Sequence, residues 1–173
     1  MPDTSEAPRL LSELRDLAAR TNLPPAALEN ALEKVLHAFD CHTGTIHALD
    51  PTSGLLNLCA CRGIPESLLA RIQRIPIGKG MAGIAAERRA PVQICNLQAD
   101  ASGLAQPAAR ETRMEGSIAV PILDGDRLRG TLGIAKPVSH EYSLAESELL
   151  MQFAAAIGKL LDSYVSMGDS AAL

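Results

Sequence analysis

Residues 75–91 read IPIGKGMAGIAAERRAP. A short strand pattern (74–77) enters the turn Gly78-Lys79-Gly80, a helix of small residues follows over 81–89, and Pro91 opens a second strand pattern, VQICNL (92–97). Gly78-Lys79-Gly80-Met81-Ala82-Gly83 spells G-x-G-x-x-G, with Asp100 near the acidic position of a dinucleotide site. The flanks oppose that reading. Arg74 opens the strand and Pro76 lies inside it, which suits an edge rather than a buried parallel strand. No further βα units follow. The turn is therefore expected to supply φ > 0 and to pack a helix tightly on a sheet. The amides at that helix start can still hold the anionic part of a ligand.

Toward the N-terminus lies a hairpin. TGTIHALD (43–50) and LLNLCACR (55–62) flank the turn cluster Pro51-Thr52-Ser53-Gly54. A five-residue loop pairs Leu49 with Leu55, His47 with Asn57 and Thr45 with Cys59. One face then carries Ile46, Ala48, Leu56, Leu58 and Ala60. The other carries Thr45, His47, Leu49, Asn57, Cys59 and Cys61, a mixed face suited to solvent or a pocket. Two amphipathic helices precede this hairpin. Residues 9–20 carry a Leu10/Leu14/Leu17 stripe, and Pro24-Pro25 open a helix with Leu28, Leu32, Val35, Leu36 and Phe39 on one side.

Toward the C-terminus, residues 98–116 lack an apolar face and are expected to be mobile. SIAVPIL (117–123) and RLRGTLGIA (127–135) flank Asp124-Gly125-Asp126 as a second hairpin. Ser143 and Glu146 form a capping box for a final helix to about Val165. The tail beyond it is expected to fray. The element order is α+β around an antiparallel sheet, with terminal helices on one face and a pocket under short helices and a lid on the other. The expected division is a helical extension (1–22), a domain (23–165) and a tail (166–173).

Composition narrows the function classes. Hydrophobic residues make up 47% and charged residues 21% of 173, which excludes wholesale disorder. Net charge is −4 and only four aromatic residues exist, so neither a basic footprint nor a stacking platform for nucleic acid is present. No apolar run approaches the about 20 residues of a membrane helix. The first residues lack the pattern of a signal peptide, so a cytoplasmic protein with reduced thiols and no membrane partner is expected.

The Gly-rich turn, both hairpins (TGTIHALDPTSGLLNL and GSIAVPILDGDRLRGTLGIAKP) and the closing helix SLAESELLMQFAAAIGKLL together resemble a stand-alone GAF domain over about residues 24–165. The resemblance implies a PAS-like sensory fold that binds a small molecule between a sheet face and a lid and often dimerises through terminal helices. One enzymatic branch, the free methionine-(R)-sulfoxide reductases, is similar around the Gly-rich turn and last hairpin. Its motif carries a Cys where Ala82 stands, an acid where Ser117 stands and acids where Gly133 and Ala135 stand. Residues 98–116 also hold no cysteine for its nucleophile. Cys41-His42 is similar to the bilin-holding pair of phytochrome-like relatives, but it precedes the first strand and lacks aromatic packing partners.

Candidate chemistry follows from the same residues. Cys59 and Cys61, two apart on a strand, lie at about 6.5–7 Å, the edge of disulfide reach. With His47 they could form a Cys/Cys/His metal set, against the ordinary alternative of buried structural thiols and a hydrogen-bonded histidine. Ser117, Ala119, Gly133 and Ala135 alternate on neighbouring strands and are all small. With Thr45, His47, Asn57, Cys59 and Cys61 they are expected to floor a cavity. Arg110 and Arg113 on the covering segment are candidate anion contacts, because arginine suits bidentate recognition; the alternative is a solvated helix face.

The leading expectation is a non-enzymatic sensory module for an unidentified small molecule, with no assigned cofactor and no catalytic or metal residue. It would signal through its terminal helices to a protein partner or a fusion outside this chain. Alternatives are a divergent thiol reductase using Cys59, Cys61 or Cys95, and a dimerisation domain with a collapsed pocket. The Leu10/Leu14/Leu17 stripe and the apolar sector of the last helix are expected to meet across a homodimer axis.

Overall fold

The computed structural model describes residues 5–170, with side chains to Tyr164. The elements are α1 (Ala7–Ala18), α2 (Ala27–Phe39), β1 (Thr43–Asp50), β2 (Leu55–Arg62), α3 (Glu66–Ile72) and β3 (Arg74–Pro76). They continue with α4 (Gly80–Arg88), β4 (Val92–Ile94), α5 (Pro107–Glu111), β5 (Gly116–Asp124), β6 (Arg127–Lys136) and α6 (Leu144–Ser170). All strand pairings are antiparallel and the order is β3-β2-β1-β6-β5-β4. The two hairpins are thus fused through β1 and β6. This is the α+β architecture expected from the element order.

Helices α2 and α6 cover one sheet face. Ile46, Ile118, Val120, Ile122, Leu132 and Ile134 point into them, and Phe39 meets Phe153 edge to face at 6.0 Å and 72°. Helix α1 lies across α2 and α6. Leu10, Leu11 and Leu14 are buried there, Leu14 at 0% exposure. Glu13 and Glu6 accept bonds from Lys34 and His37 of α2 at 2.6 and 2.9 Å. The α1 stripe therefore packs within its own subunit, which corrects the expectation that it needs a second copy. Leu150, Ile157 and Leu161 of α6 are buried in the same way, while Tyr164 stays 47% exposed. Helix α6 continues to Ser170, past its expected end. Residues 171–173 of the tail lie outside the described residues.

The first hairpin departs from its expected register. Asp50 pairs with Leu55, so the loop has four residues rather than five. The Asp50 carboxylate holds it by accepting from Thr52 N and Ser53 Oγ at 2.9 and 2.6 Å. A bulge follows, because Ile46 pairs with Ala60 while His47 pairs with Leu58, leaving Cys59 as the extra residue. Opposed residues share a face, so Asn57 follows Ala48 to the helix-covered side and Leu56 and Leu58 move to the other. Cys59 packs against the core under the helices. Beyond the bulge Cys61 opposes Thr45, as its face assignment requires.

The Gly-rich turn behaves as its sequence implies. Gly78 and Gly80 have φ of +84° and +63°. A Cβ on Gly83 would stand 2.4 Å from the Pro76 carbonyl oxygen, so only glycine lets α4 approach β3 this closely. Ala85 of α4 packs on Val92 and Ala119, forming a second small core on the open sheet face. Residues 98–116 form a hydrogen-bonded loop around α5. Gln98 Nε2 donates to the carbonyls of Arg110 and Met114 at 3.1 and 2.8 Å, and Arg110 donates to the Asp100 carbonyl.

Candidate functional site

The sheet face opposite α2 and α6 carries a cavity of about 260 Å³. Its floor comes from alternate positions on three strands: Thr45 and His47 of β1, Gly133 and Ala135 of β6, and Ser117 and Ala119 of β5. The pairings Ser117↔Ala135 and Ala119↔Gly133 place the small residues side by side, as their alternation predicts. A Cβ on Gly133 would stand 3.3 Å from Thr45 Oγ1, a tight contact that asks that side chain to give by a few tenths of an ångström. Ile64, Leu68, Ile72, Ile75 and Met81 form apolar walls, and Ala108, Ala109 and Thr112 come from α5 and its C-cap. Arg71, Arg74 and Lys79 supply positive charge.

Of the expected site residues, His47, Ser117, Ala119, Gly133 and Ala135 line this cavity. Asn57 and Cys59 do not, because the bulge and the shorter loop turn them to the opposite face. Cys61 is on the correct face but does not line the cavity. Arg110 and Arg113 do not line it either; the Arg110 guanidinium is occupied by the Asp100 carbonyl within the lid itself. The cationic residues that do line it, Arg71, Arg74 and Lys79, were missed. Only the proximity of Lys79 to the Gly-rich turn could have signalled one of them.

His47 is the most buried polar group of the floor at 1% exposure. Its Nε2 donates to the Ile72 carbonyl oxygen at 2.8 Å, tying β1 to the end of α3. Burial pushes its pKa below the ordinary histidine value, against a smaller opposing effect of that bond, so the ring is neutral at pH 7. The Nδ1 atom then accepts, and it has no partner among the described residues. Thr131, directly opposite His47 on β6, has a buried Oγ1 that also lacks a partner.

None of the four cysteines lines this cavity. Cys41 is buried beside Tyr142, with Sγ 3.5 Å from the phenol oxygen, and burial pushes its pKa to about 11. Burial raises Cys59 as well. Cys59 and His47 stand on opposite sheet faces, so the Cys/Cys/His set is not assembled. Among the described residues no three His, Cys, Asp or Glu side chains gather in a metal-holding cluster. No helix among them is long and apolar enough to cross a membrane.

This antiparallel sheet, with its two fused hairpins and a pocket walled by short helices, defines an α+β domain of GAF-like architecture. The GAF-domain family pattern matches residues 23–162, and the chain belongs to the GAF domain family. Three solved structures illustrate the fold. The GAF domain of a phosphoenolpyruvate-protein phosphotransferase from Coxiella burnetii is similar at TM-score 0.79 and 20% identity, over 96% of this chain and 99% of that one. The corresponding domain from Acinetobacter is similar at 0.75 and 15%, over 94% and 97%. The free methionine-R-sulfoxide reductase of Neisseria meningitidis, in complex with its substrate, is similar at 0.75 and 18%, over 94% and 92%. No curated protein sequence matches the chain at a significant level.

Proposed function

We propose that this GAF domain is a non-enzymatic sensory module. It binds a small molecule in the cavity over β1, β6 and β5 and passes the change through the sheet to α1 and α6. The observation that carries this reading is the floor of Ser117, Ala119, Gly133 and Ala135, which leaves open a walled cavity of about 260 Å³. That is slightly below the about 300–1,000 Å³ of drug-sized pockets, a fit for a metabolite. The route to the helices is short, because the same strands carry floor residues on one face and Ile46, Ile118 and Leu132 on the other. A signalling protein partner and a cytoplasmic setting belong to this reading, the latter supported by four free cysteines. A homodimer through the terminal helices would use what α1 leaves uncovered, chiefly around Tyr164. Native mass spectrometry of purified protein tests the proposal. A bound small molecule lost on Ala135→Leu is expected; exclusively unliganded protein with no metabolite able to raise its melting temperature would sink it.

The alternative is a thiol-dependent reductase, favoured only by fold similarity to the sulfoxide reductase. Against it, no cysteine lines the cavity. Reduction of free methionine sulfoxide by wild type, lost in a cysteine-free variant, would establish it.

A further inference from the structure

We infer that the cavity takes a small oxyanion, a carboxylate or phosphate monoester, that carries a hydroxyl or N–H donor and no ammonium group. The inference rests on the ligand-binding reading above and gives that ligand its chemistry.

Charge is the first ground. No Asp or Glu lines the cavity, whereas Arg71, Arg74 and Lys79 do. Arg71 is paired with Glu111, but Arg74 and Lys79 have no carboxylate partner among the described residues. Helix α4 begins at the same place. Its N-cap Lys79 makes no side-chain cap and its first turn holds no acid. The N–H groups of Gly80, Met81 and Ala82 have no acceptor within the helix, and all three residues line the cavity. Positive helix-end dipole and two unpaired cations therefore converge on one wall.

His47 is the second, independent ground. Its Nε2 is committed to Ile72, so its buried Nδ1 is a fixed acceptor without a donor. A ligand hydroxyl or N–H group that donates to His47 Nδ1 satisfies it. An ammonium group, by contrast, finds no carboxylate in the cavity and would be desolvated without a counter-charge. The site thus selects against amino acids and amines.

A matched probe set tests this on the full chain: 4-hydroxybenzoate, its methyl ester, 4-hydroxybenzylamine and 4-methylbenzoate, followed by ¹H–¹⁵N spectra. The acid should shift the amides of residues 80–82 and bind about tenfold tighter than the ester or the amine. The 4-methyl analogue, which lacks the donor, should bind several-fold more weakly than the 4-hydroxy acid. The Arg74→Gln/Lys79→Gln double variant should lose the acid's advantage over the ester; both positions are exposed, and circular dichroism checks the fold. Equal or tighter binding of the ester or amine overturns the proposal, as does silence from all four probes. If native mass spectrometry then finds a neutral or cationic ligand in the cavity, the oxyanion assignment falls while the sensory reading stands.

Discussion

Arg71 of α3 donates to Glu111 of α5 at 2.5 Å, joining the two short helices that flank the cavity. Both side chains are about half exposed, so the pair contributes at most about 1 kcal/mol. Its importance is positional, because α5 has only five residues and cannot hold itself in place. Glu111→Gln should leave the melting temperature within a few degrees of wild type yet speed hydrogen exchange at residues 107–112. Unchanged exchange there would show that the loop bonds of Gln98 alone hold the lid.

The floor predicts a second outcome. Gly133→Leu or Ala135→Leu should fill the cavity with little loss of stability, because the atoms beyond Cβ enter a void and the Thr45 hydroxyl beside Gly133 need give by only a few tenths of an ångström. Overpacking a filled core instead costs about 1–3 kcal/mol. Denaturant melts of both variants decide: a loss of that size in both would mean the positions are already packed.

Thiol chemistry gives a third. Cys95 is exposed, whereas Cys41 is buried with its pKa held near about 11. Since the thiolate is the reacting species, a disulfide reagent at pH 8 should modify Cys95 first and Cys41 only on unfolding. Replacing all four cysteines with Ser or Ala should preserve ligand affinity.

Helix α1 gives a fourth. Leu14 is completely buried between α1, α2 and α6. Leu14→Ala should cost about 2–5 kcal/mol. Removal of residues 1–22 should expose the apolar surface of α2 and α6 and promote self-association, visible by light scattering. A truncated chain as stable and as monodisperse as the full one would show that α1 is only loosely attached.

Acid sensitivity gives a fifth. Burial alone would raise the Glu146 carboxyl, but bonds from Ser143 N at 2.7 Å and His140 Nε2 at 2.9 Å hold it below its ordinary value of 4.5. A carboxyl depressed on folding stabilises fully above its unfolded pKa, and that stability fades as the pH falls through the folded value. Wild type should therefore lose more stability than Glu146→Gln as the pH drops from about 5 toward 3. Parallel acid limbs in the two melting profiles would contradict this.

The second hairpin was legible in the sequence because its pocket-side residues are uniformly small and alternate without interruption. Its Ile122/Leu123 irregularity falls beyond them. The first hairpin was not. A one-residue bulge at Cys59 reverses every side chain on one side of it, and residue type carries no mark of it, since Asn57 and Cys59 suit a mixed face as well as a core edge. Arg110 and Arg113 failed for another reason: segment 98–116 was correctly placed over the pocket, but arginine is long enough to turn back on its own loop. Helix α1 was recognised as amphipathic, yet periodicity tells which face is buried and not on which copy of the chain.

Strand β1 lies between β2 and β6, so its second edge is closed only by residues 130–135. A ribosome delivers β1 some eighty residues before that partner. Throughout that interval the edge from Thr43 to Ala48 is open to foreign strands, and the apolar side of α2 has no α6 to meet. The binding fold is thus completed late in synthesis and all at once. Slowing translation before β6 would lengthen the period in which this chain needs a chaperone.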